Sequence, residues 1–372
     1  MTESQNIIVL TTGGSGGHIF PAEACAASLI QKGYSVVFIT DKRGSAFRQL
    51  ENVTTYRLCA ESITGRSIIG KFVGLAKLIA GSVQALLLLN KIKPKLVVGF
   101  GGYASIPAVM AAQVMRIPTI LHEQNAVLGR ANRILARGTK LIATTFPSVK
   151  MNATNKPTFQ VGQPVRAPIL EKANSPFPGT EQGLNILIFG GSQGSRFLSQ
   201  KLPEALMLLS PELRAKINLT QQARAEDIDA LKEKYQNAGF KSLVIDSFFN
   251  NMPELLTQSH FVIGRGGAGT LSEVMTVGRP ALIIPLATSA DNHQYENACL
   301  LTQNNAGWVV QEKEFNAEAL ASQLTDWLSH PEALNQTAQK VHQLAILNAA
   351  DRMADVVQDI LKDGNKDGST VS

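Results

Sequence analysis

Two stretches of similar sequence decide the fold, Ile7–Gly17 (IIVLTTGGSGG) and Leu184–Gly194 (LNILIFGGSQG). Each is an apolar run that ends in clustered glycines and leads into residues with helical periodicity. This pattern is typical of a buried parallel strand that turns tightly into a helix, where backbone N–H groups and the helix dipole can face an anion. Its recurrence predicts two domains with such a turn at matching points.

Other apolar runs alternate with helix-period stretches, which predicts an α/β fold with two doubly wound parallel sheets. Residues 150–183 hold five prolines and few long apolar runs, so we interpret them as an interdomain linker. The predicted domains are residues 1–163 and 164–345, followed by residues 346–372 as a helix packing back toward the N-terminal domain and a flexible tail. The predicted strands are Ile7–Leu10, Val36–Ile39, Leu96–Val98, Thr119–Leu121, Leu141–Ala143, Leu184–Phe189, Ile217–Thr220, Ser242–Ile245, Phe261–Ile263 and Ala281–Ile284.

Composition limits the class of protein. With 372 residues and 44% hydrophobic content, the chain is long and apolar enough for two folded domains. The N-terminus lacks the features of a signal peptide, and the apolar tract at residues 75–89 is interrupted and too short to span a bilayer. Three cysteines without metal-ligand or CxxC spacing argue against disulfides and zinc, and favour a reducing cytoplasm.

The formal net charge of +6 is compatible with a nucleic acid, an anionic lipid or an acidic small molecule as partner. Because the sequence has no RNP-like motif, zinc finger or basic heptad region, we expect no nucleic-acid binding.

A dinucleotide-dependent oxidoreductase is the first alternative. Asp41, after the second predicted strand, resembles the carboxylate that binds an adenosine ribose. The glycine spacing disagrees, because Ile19 stands where GxGxxG/A requires a small residue and the turn at 190–194 lacks the opening GxG. We therefore interpret Asp41 as a solvated residue at a strand end.

A third glycine segment, Gly264–Gly269, precedes Thr270 and Glu273 at a predicted helix start. Thr270-x-x-Glu273 matches a capping box, which satisfies the first-turn N–H groups without a ligand. Alternatively, the turn receives a diphosphate and the Glu273 carboxylate accepts the two ribose hydroxyls. The residues alone leave both interpretations open.

Taken in order, the motifs resemble those of the MurG family of peptidoglycan glycosyltransferases, from about Ile7 to near Leu361. HEQN and GGSQG are the specific members of the set, whereas glycine turns alone are weak. The motifs are Gly13-Gly14-Ser15-Gly16-Gly17-His18, Gly101-Gly102-Tyr103, His122-Glu123-Gln124-Asn125, Gly162-Gln163-Pro164-Val165-Arg166, Gly190-Gly191-Ser192-Gln193-Gly194, Arg265–Glu273 and Asp291–Ala298.

The resemblance implies a GT-B fold, in which two Rossmann-like domains face each other across a cleft, with the donor mainly on the C-terminal domain. It implies inverting transfer of N-acetylglucosamine from UDP-N-acetylglucosamine (UDP-GlcNAc) to the C4 hydroxyl of lipid-linked N-acetylmuramyl-pentapeptide, without a tightly bound cofactor. The expected location is the cytoplasmic face of the bacterial inner membrane. Expected partners are the two substrates, an anionic membrane surface and proteins of cell-wall synthesis or division.

The resemblance also assigns site residues. Tyr103, His122 and Gln124 are expected to position the acceptor. The residues expected to contact the donor are Ser15, Gly16, Gly17, Asn125, Arg166, Ser192, Phe249, Ala268, Gly269, Thr270, Leu271, Ser272, Glu273 and Gln294.

Inversion at the anomeric carbon needs one base that takes the proton of the attacking hydroxyl. His18 is the first candidate, because imidazole titrates near neutral pH and His18 lies where the first glycine turn enters its helix. It could instead only hydrogen-bond the acceptor or a phosphate. His122 and Glu123 are the reserve candidates, and Glu123 could equally be a positioning group. Because no DxD-type motif occurs in a suitable loop, we expect no catalytic metal ion.

Residues 63–95 are the candidate membrane-docking segment, because apolar and basic side chains are interleaved there. The alternative is a helix whose apolar face belongs to the core and whose lysines are solvated. The candidate docking residues are Arg66, Ile69, Lys71, Phe72, Val73 and Lys77.

Two other functions stay open at this point, a UDP-sugar epimerase of the same architecture and a noncatalytic nucleotide-sugar or lipid-binding module. The HEQN segment and the docking segment argue against an epimerase, which needs no second-substrate surface. A binding module would tolerate loss of the His18 imidazole.

Overall fold

The chain folds into two compact units. Unit 1 comprises Met1–Arg166 and Asn348–Ser372, and unit 2 comprises Ala167–Leu347. The structure, a computed structural model, describes residues 6–13, 16–41, 53–60, 68–151, 155–191 and 194–367.

In the described part of unit 1, seven strands form one parallel sheet with the order β3-β2-β1-β4-β5-β6-β7. The strand order reverses between β1 and β4, so the connections after these two strands run in opposite directions along the sheet. The strands are β1 (Ile7–Thr11), β2 (Ser35–Thr40), β3 (Thr54–Arg57), β4 (Leu96–Gly99), β5 (Thr119–Glu123), β6 (Leu141–Thr144) and β7 (Thr158–Gln160).

Helices cover the faces of this sheet, which is why its central strands are continuously apolar. Ile8, Val9 and Leu10 of β1 are all fully buried. Their alternating side chains enter two separate cores, since Ile8 and Leu10 belong to one cluster and Val9 to another. The first helices of the unit are α1 (Gly16–Gln31), α2 (Ile68–Ile92), α3 (Ser105–Val114) and α4 (Arg130–Leu135).

Unit 2 repeats the arrangement with a six-stranded parallel sheet in its described part, ordered β10-β9-β8-β11-β12-β13. Its strand order reverses between β8 and β11. The strands are β8 (Leu184–Phe189), β9 (Ile217–Gln222), β10 (Ser242–Asp246), β11 (Phe261–Gly264), β12 (Ala281–Ile283) and β13 (Trp308–Val309). The helices are α5 (Ala167–Leu170), α6 (Arg196–Met207), α7 (Pro211–Arg214), α8 (Ile228–Lys234), α9 (Met252–Gln258), α10 (Ala268–Val277), α11 (His293–Gln303), α12 (Ala317–Ser329) and α13 (Pro331–Gln343).

The last helix, α14 (Ala349–Asp367), belongs to unit 1 and packs against α1. Ser28 donates to the Asp351 carboxylate at 2.6 Å, and Lys32 forms an ion pair with Asp355 at 2.8 Å. Apolar residues of α14, including the fully buried Met353, join the core formed by α1 and the sheet.

All ten predicted strands are present. The boundary between the units, after Arg166, lies inside residues 150–183, the stretch interpreted as an interdomain linker. The stretch also contains β7, which pairs with β6, and α5. These short elements were missed because they carry little periodic signal. A second interpretation is wrong. Asp41 is not solvated but only 2% exposed, since the chain after β3 returns beside it and the Leu58 N–H donates to the Thr40 carbonyl at 2.9 Å.

Candidate active site

The first candidate site lies in unit 1, where the strand order reverses between β1 and β4. In doubly wound sheets, ligands bind beyond the carboxyl ends of the strands at this switch point. The turn after β1 contacts the turn after β4 there, because the Gly13 N–H donates to the Gly101 carbonyl at 3.3 Å. Gly101 and Gly102 have φ values of +81° and +75°, and a Cβ on Gly102 would lie 3.3 Å from the Gly13 Cα. This close approach therefore requires glycine.

His18 lies on this surface of glycines, in the first turn of α1. Its Cε1 atom would be 3.5 Å from a Cβ on Gly101, and its Cδ2 atom 3.5 Å from one on Gly102. The ring is half-buried, but its Nδ1 atom is buried without a hydrogen-bond partner among the described residues. Burial lowers the His18 pKa, while the Phe100 carbonyl raises it. The lowered pKa favours the neutral imidazole, the state that a general base requires.

His122, at the end of β5, is fully buried. Its Nε2 lies 3.1 Å from the Gly162 carbonyl, so this nitrogen carries the proton and donates it. Burial lowers the pKa of His122 to about 4, with the Gly162 carbonyl opposing and the nearby His18 adding to the effect. This geometry favours His122 as a residue that positions the backbone at Gly162. It does not support direct contact between His122 and the acceptor.

Glu123 is also buried, and hydrogen bonds occupy both of its carboxylate oxygens. Oε1 accepts the backbone N–H of Asn125 at 2.9 Å, and Oε2 accepts the backbone N–H of Gly129 at 2.8 Å. The side chain of Asn132 donates to Oε2 at 2.8 Å as well. Burial raises the pKa of Glu123, whereas these donors lower it. The arrangement favours Glu123 as a positioning residue over Glu123 as a reserve base.

The other predicted residues of unit 1 that the structure describes differ in burial and in their contacts. Gln124 is buried and donates to the Phe100 carbonyl at 3.4 Å, while Tyr103 and Asn125 are half-buried. The Arg166 guanidinium lies 5.0 Å from the centroid of the Phe20 ring, a cation–π arrangement. Gly16 and Gly17 begin α1, and Ser15 lies outside the described residues.

The second candidate site lies at the equivalent point of unit 2, between β8 and β11. After β8, the Gly190 N–H donates to the Gln222 side chain at 3.2 Å. Ser195 then caps α6, because its hydroxyl accepts the Leu198 N–H at 3.4 Å. Ser192 lies outside the described residues.

The turn after β11 decides between the two interpretations of Thr270 and Glu273. Helix α10 begins at Ala268 with Gly267 as the N-cap residue, so Thr270 is the third helical residue and Glu273 the sixth. The capping-box interpretation is therefore wrong, because a capping box needs the hydroxyl at the N-cap and the carboxylate at the third position. The N-cap residue, Gly267, has no side chain that could cap α10, and the first-turn N–H groups are suited to an anion.

Side chains at the start of α10 differ in exposure. Ala268, Leu271 and Ser272 are buried, so their side chains pack inward and any ligand contact would come from backbone groups. Gly269, Thr270 and Glu273 are half-buried and can contact a ligand directly.

Gln294 joins the loops after β11 and β12. Its Oε1 accepts the Gly266 N–H at 3.2 Å and the Leu286 N–H at 2.9 Å. A Cβ on Gly266 would collide with the backbone carbonyl of Gln294, so this position requires glycine. With Oε1 used in this way, Nε2 is the atom of Gln294 that can donate to a sugar hydroxyl. Phe249 is half-buried, beside the 60% exposed Phe248.

Arg265 is a residue that the sequence did not single out as a contact. Its Nε donates to the Ser195 hydroxyl at 2.9 Å, and its Nη1 donates to the Ile284 carbonyl at 2.9 Å. Nη1 also pairs with the Glu312 carboxylate at 2.7 Å. Burial lowers the pKa of Arg265, and Glu312 raises it. Only the fold brings these residues together, so no local sequence signal could have revealed them.

The candidate docking segment is described in part. Arg66 lies outside the described residues, as do the side chains of Ile69, Lys71, Phe72 and Val73 in α2, and Lys77 is half-buried. No helix in the described ranges is long and apolar enough to cross a membrane. Likewise, no group of three or more His, Cys, Asp or Glu residues within those ranges could hold a metal ion.

Models of two related domains match the sequence. The glycosyltransferase family 28 N-terminal domain matches residues 8–144, and the glycosyltransferase family 28 C-terminal domain matches residues 185–357. The chain belongs to glycosyltransferase family 28. This membership confirms the predicted class of enzyme, a glycosyltransferase.

Individual members of glycosyltransferase family 28 are similar over nearly the whole chain. UDP-N-acetylglucosamine--N-acetylmuramyl-(pentapeptide) pyrophosphoryl-undecaprenol N-acetylglucosamine transferase of Paramagnetospirillum magneticum is 41% identical, over 96% of this chain and 97% of that protein. The crystal structure of Acinetobacter baumannii MurG is similar with a TM-score of 0.76 and 29% identity, covering 95% of this chain and 99% of that chain. The resemblance to the MurG family and the GT-B fold class are thereby confirmed.

An epimerase shares the fold as well. UDP-GlcNAc 2-epimerase from Neisseria meningitidis has a TM-score of 0.68 but only 12% identity, over 96% of this chain and 100% of that chain. Similarity at this identity shows a common fold alone, so it does not favour the epimerase alternative.

Proposed function

We propose that this protein transfers N-acetylglucosamine from UDP-GlcNAc to the C4 hydroxyl of lipid-linked N-acetylmuramyl-pentapeptide, with inversion, in peptidoglycan synthesis. The observation that carries this proposal is the 41% identity, over 96% of the chain, to a transferase whose name states that donor and acceptor. Glycine turns at the switch points of both sheets support it, because each offers backbone N–H groups to a phosphorylated substrate.

The donor diphosphate is assigned to unit 2, at the turns that follow β8 and β11. The first turn of α10, which begins after Gly267, supplies N–H groups and the positive end of the helix dipole. Glu273, one turn further along α10, is assigned to the ribose hydroxyls, and Gln294 to the sugar hydroxyls. The N–H groups of the first turn of α10 also stabilise the charge that develops on the UDP leaving group, without requiring a metal ion.

His18 is assigned as the base that removes the proton of the acceptor hydroxyl. Two observations support this assignment: the ring lies at the switch point of unit 1, and Nδ1 has no hydrogen-bond partner among the described residues. Burial also lowers the pKa of His18, which favours the neutral ring. His122 and Glu123 are committed to Gly162, Gly129 and Asn132, so they are assigned as positioning residues.

Docking on the cytoplasmic face of the inner membrane is part of this proposal, because a polyprenyl-linked acceptor stays in the bilayer. Helix α2 exposes Ile79, Val83 and Leu87 at a spacing of four residues, and they are 59%, 52% and 70% exposed. Helix α3, which packs against α2, exposes Met110 and Val114. We name these five residues the apolar stripe.

A basic residue continues the apolar stripe, which suits an anionic interface. Lys91 is exposed and lies one turn beyond Leu87 on the same side of α2, whereas Lys77, two residues before Ile79, lies on a different side of the helix. Proteins of cell-wall synthesis or division, which act at the same membrane, are proposed as further partners.

Product analysis tests the function. The purified protein is incubated with UDP-GlcNAc and a lipid-linked muramyl-pentapeptide, and products are separated with and without acceptor. We expect a disaccharide-linked lipid and UDP in equal amounts, formed only when acceptor is present. Formation of an epimeric UDP-sugar without acceptor would identify an epimerase, and binding of UDP-GlcNAc without turnover would identify a binding module.

A further inference from the structure

Arg265 connects the loops that leave the carboxyl edge of the unit 2 sheet. Its backbone belongs to the turn between β11 and α10, whereas its guanidinium reaches Ser195 in the turn after β8. The same group donates to the carbonyls of Ile284 and Pro285 after β12, at 2.9 and 3.4 Å. One side chain therefore fixes three turns relative to one another.

The position of this guanidinium is set from two sides. The Phe197 ring lies with its centroid 5.4 Å from the Arg265 Cζ. Glu312, in a short 3₁₀ turn after β13, pairs with Nη1 at 2.7 Å, and the two side chains are only 19% and 7% exposed. An ion pair with so little exposure is weakly screened, and its geometry is held by additional hydrogen bonds.

The turns joined in this way are those assigned to the donor. The Gly266 N–H, next to Arg265, donates to Gln294, and the Gly266 carbonyl accepts the Asn297 side chain at 3.0 Å. A displacement of Arg265 would therefore shift both the start of α10 and the Gln294 side chain.

We propose that Glu312 is a positioning residue for donor binding, which acts by holding the Arg265 guanidinium and so keeps the turns after β8, β11 and β12 in register. This inference rests on the proposed assignment of the donor to unit 2. Glu312 itself is not proposed to contact the donor.

The direction of the change in UDP affinity distinguishes a positioning role of Glu312 from a purely electrostatic one. A carboxylate near a diphosphate repels it, so removing the Glu312 charge would tighten UDP binding if charge alone mattered. If Glu312 instead positions Arg265, its removal loosens the turns and weakens UDP binding. Glu312→Gln keeps the size and an acceptor oxygen while removing the charge.

The experiment measures UDP affinity by titration calorimetry and the KM and kcat for UDP-GlcNAc, together with thermal melting. We expect Glu312→Gln to raise the Kd for UDP and the donor KM about tenfold, equivalent to about 1.4 kcal/mol, with kcat changed much less. Glu314→Gln is the matched control, because Glu314 is 55% exposed in the same 3₁₀ turn, and it should leave both values unchanged.

A double-mutant cycle tests whether Glu312 acts through Arg265. In an Arg265→Lys background, which keeps the charge but loses the forked hydrogen bonds, Glu312→Gln should have little further effect. If Glu312→Gln does not fold, Glu312→Asp replaces it. This variant should raise the Kd for UDP by less than the factor expected for Glu312→Gln.

Two outcomes would overturn two different claims. Unchanged or tighter UDP binding by a folded Glu312→Gln protein would overturn the positioning role. A wild-type protein that neither binds UDP nor transfers N-acetylglucosamine would overturn the proposed function instead.

Discussion

The carboxylate of Glu123 accepts the side-chain amide of Asn132 at 2.8 Å, and both residues are buried. Since Glu123 ends β5 and Asn132 lies in α4, this hydrogen bond fixes the loop between them. The loop contains Asn125, one of the residues expected to contact the donor, and the Asn125 backbone N–H also donates to Glu123. Glu123 thus connects the fold of unit 1 to a predicted substrate contact.

Glu123→Gln should destabilise unit 1. The new amide would place an NH₂ group against N–H donors from Gly129 or Asn125, so one charge-assisted hydrogen bond would be replaced by a donor–donor contact. We expect a loss of about 2–4 kcal/mol in unfolding free energy, measured by urea denaturation. Asp359→Asn, at a 72% exposed carboxylate of the same unit, is the control. A variant of normal stability whose turnover loses its acidic pH limb would indicate that Glu123 is the base.

Glu273→Ala should affect donor binding far more than the fold. Glu273 is the sixth residue of α10 and therefore not part of a capping box, so the donor KM should change far more than the melting temperature. If its carboxylate holds the ribose, the donor KM should rise at least tenfold. Steady-state kinetics and thermal melting decide the point, with Glu318→Ala in the first turn of α12 as the control. An unchanged donor KM would contradict the ribose assignment.

Replacing Ile79, Val83 and Leu87 of the apolar stripe with serine should weaken binding to vesicles that contain anionic lipid. These side chains are already exposed, so the melting temperature should change little. Co-sedimentation with vesicles at low and high salt measures the effect. Leu208→Ser is the control, because Leu208 is 54% exposed in unit 2. Equal co-sedimentation of the triple variant and the wild type would contradict docking through α2.

His122 should make the fold sensitive to acid. Burial lowers its pKa in the folded state to about 4, below the ordinary value of 6.5. The neutral ring therefore contributes stability above pH 6.5, and this contribution falls as the pH drops toward 4, by on the order of 3 kcal/mol in total. Urea denaturation between pH 7 and 4 should show a steeper loss for wild type than for His122→Gln. His330→Gln, at a 63% exposed ring, should behave as wild type. Equal slopes for wild type and His122→Gln would contradict this account.

The strands and glycine turns could be predicted from the sequence because their signals are local. An apolar run such as Leu184–Phe189, followed by clustered glycines, reflects burial on both faces and a turn without side chains. The start of α10 could not be predicted in this way. Its N-cap is set by the backbone of Gly267, while Thr270-x-x-Glu273 matches a capping box only by residue type.

The contacts of Arg265 could not be predicted from local sequence patterns for another reason. Ser195 and Glu312 are far from Arg265 in the chain and meet it only because β8, β11 and β13 end at the same edge of one sheet. The exposure of Ile79, Val83 and Leu87 is likewise set by which face of α2 the rest of unit 1 covers. The roles of the donor and acceptor residues stay predictions.

The most direct test of the proposed mechanism is the pH dependence of turnover in His18→Ala. If His18 removes the acceptor proton, kcat should fall by roughly 10²–10⁴-fold with the donor KM little changed. The acidic limb of the wild-type profile should lie below pH 6.5, because burial lowers the His18 pKa, and it should vanish in the variant. A variant that keeps near-normal turnover, retains the acidic limb and binds UDP-GlcNAc poorly would contradict this mechanism and make His18 a phosphate contact.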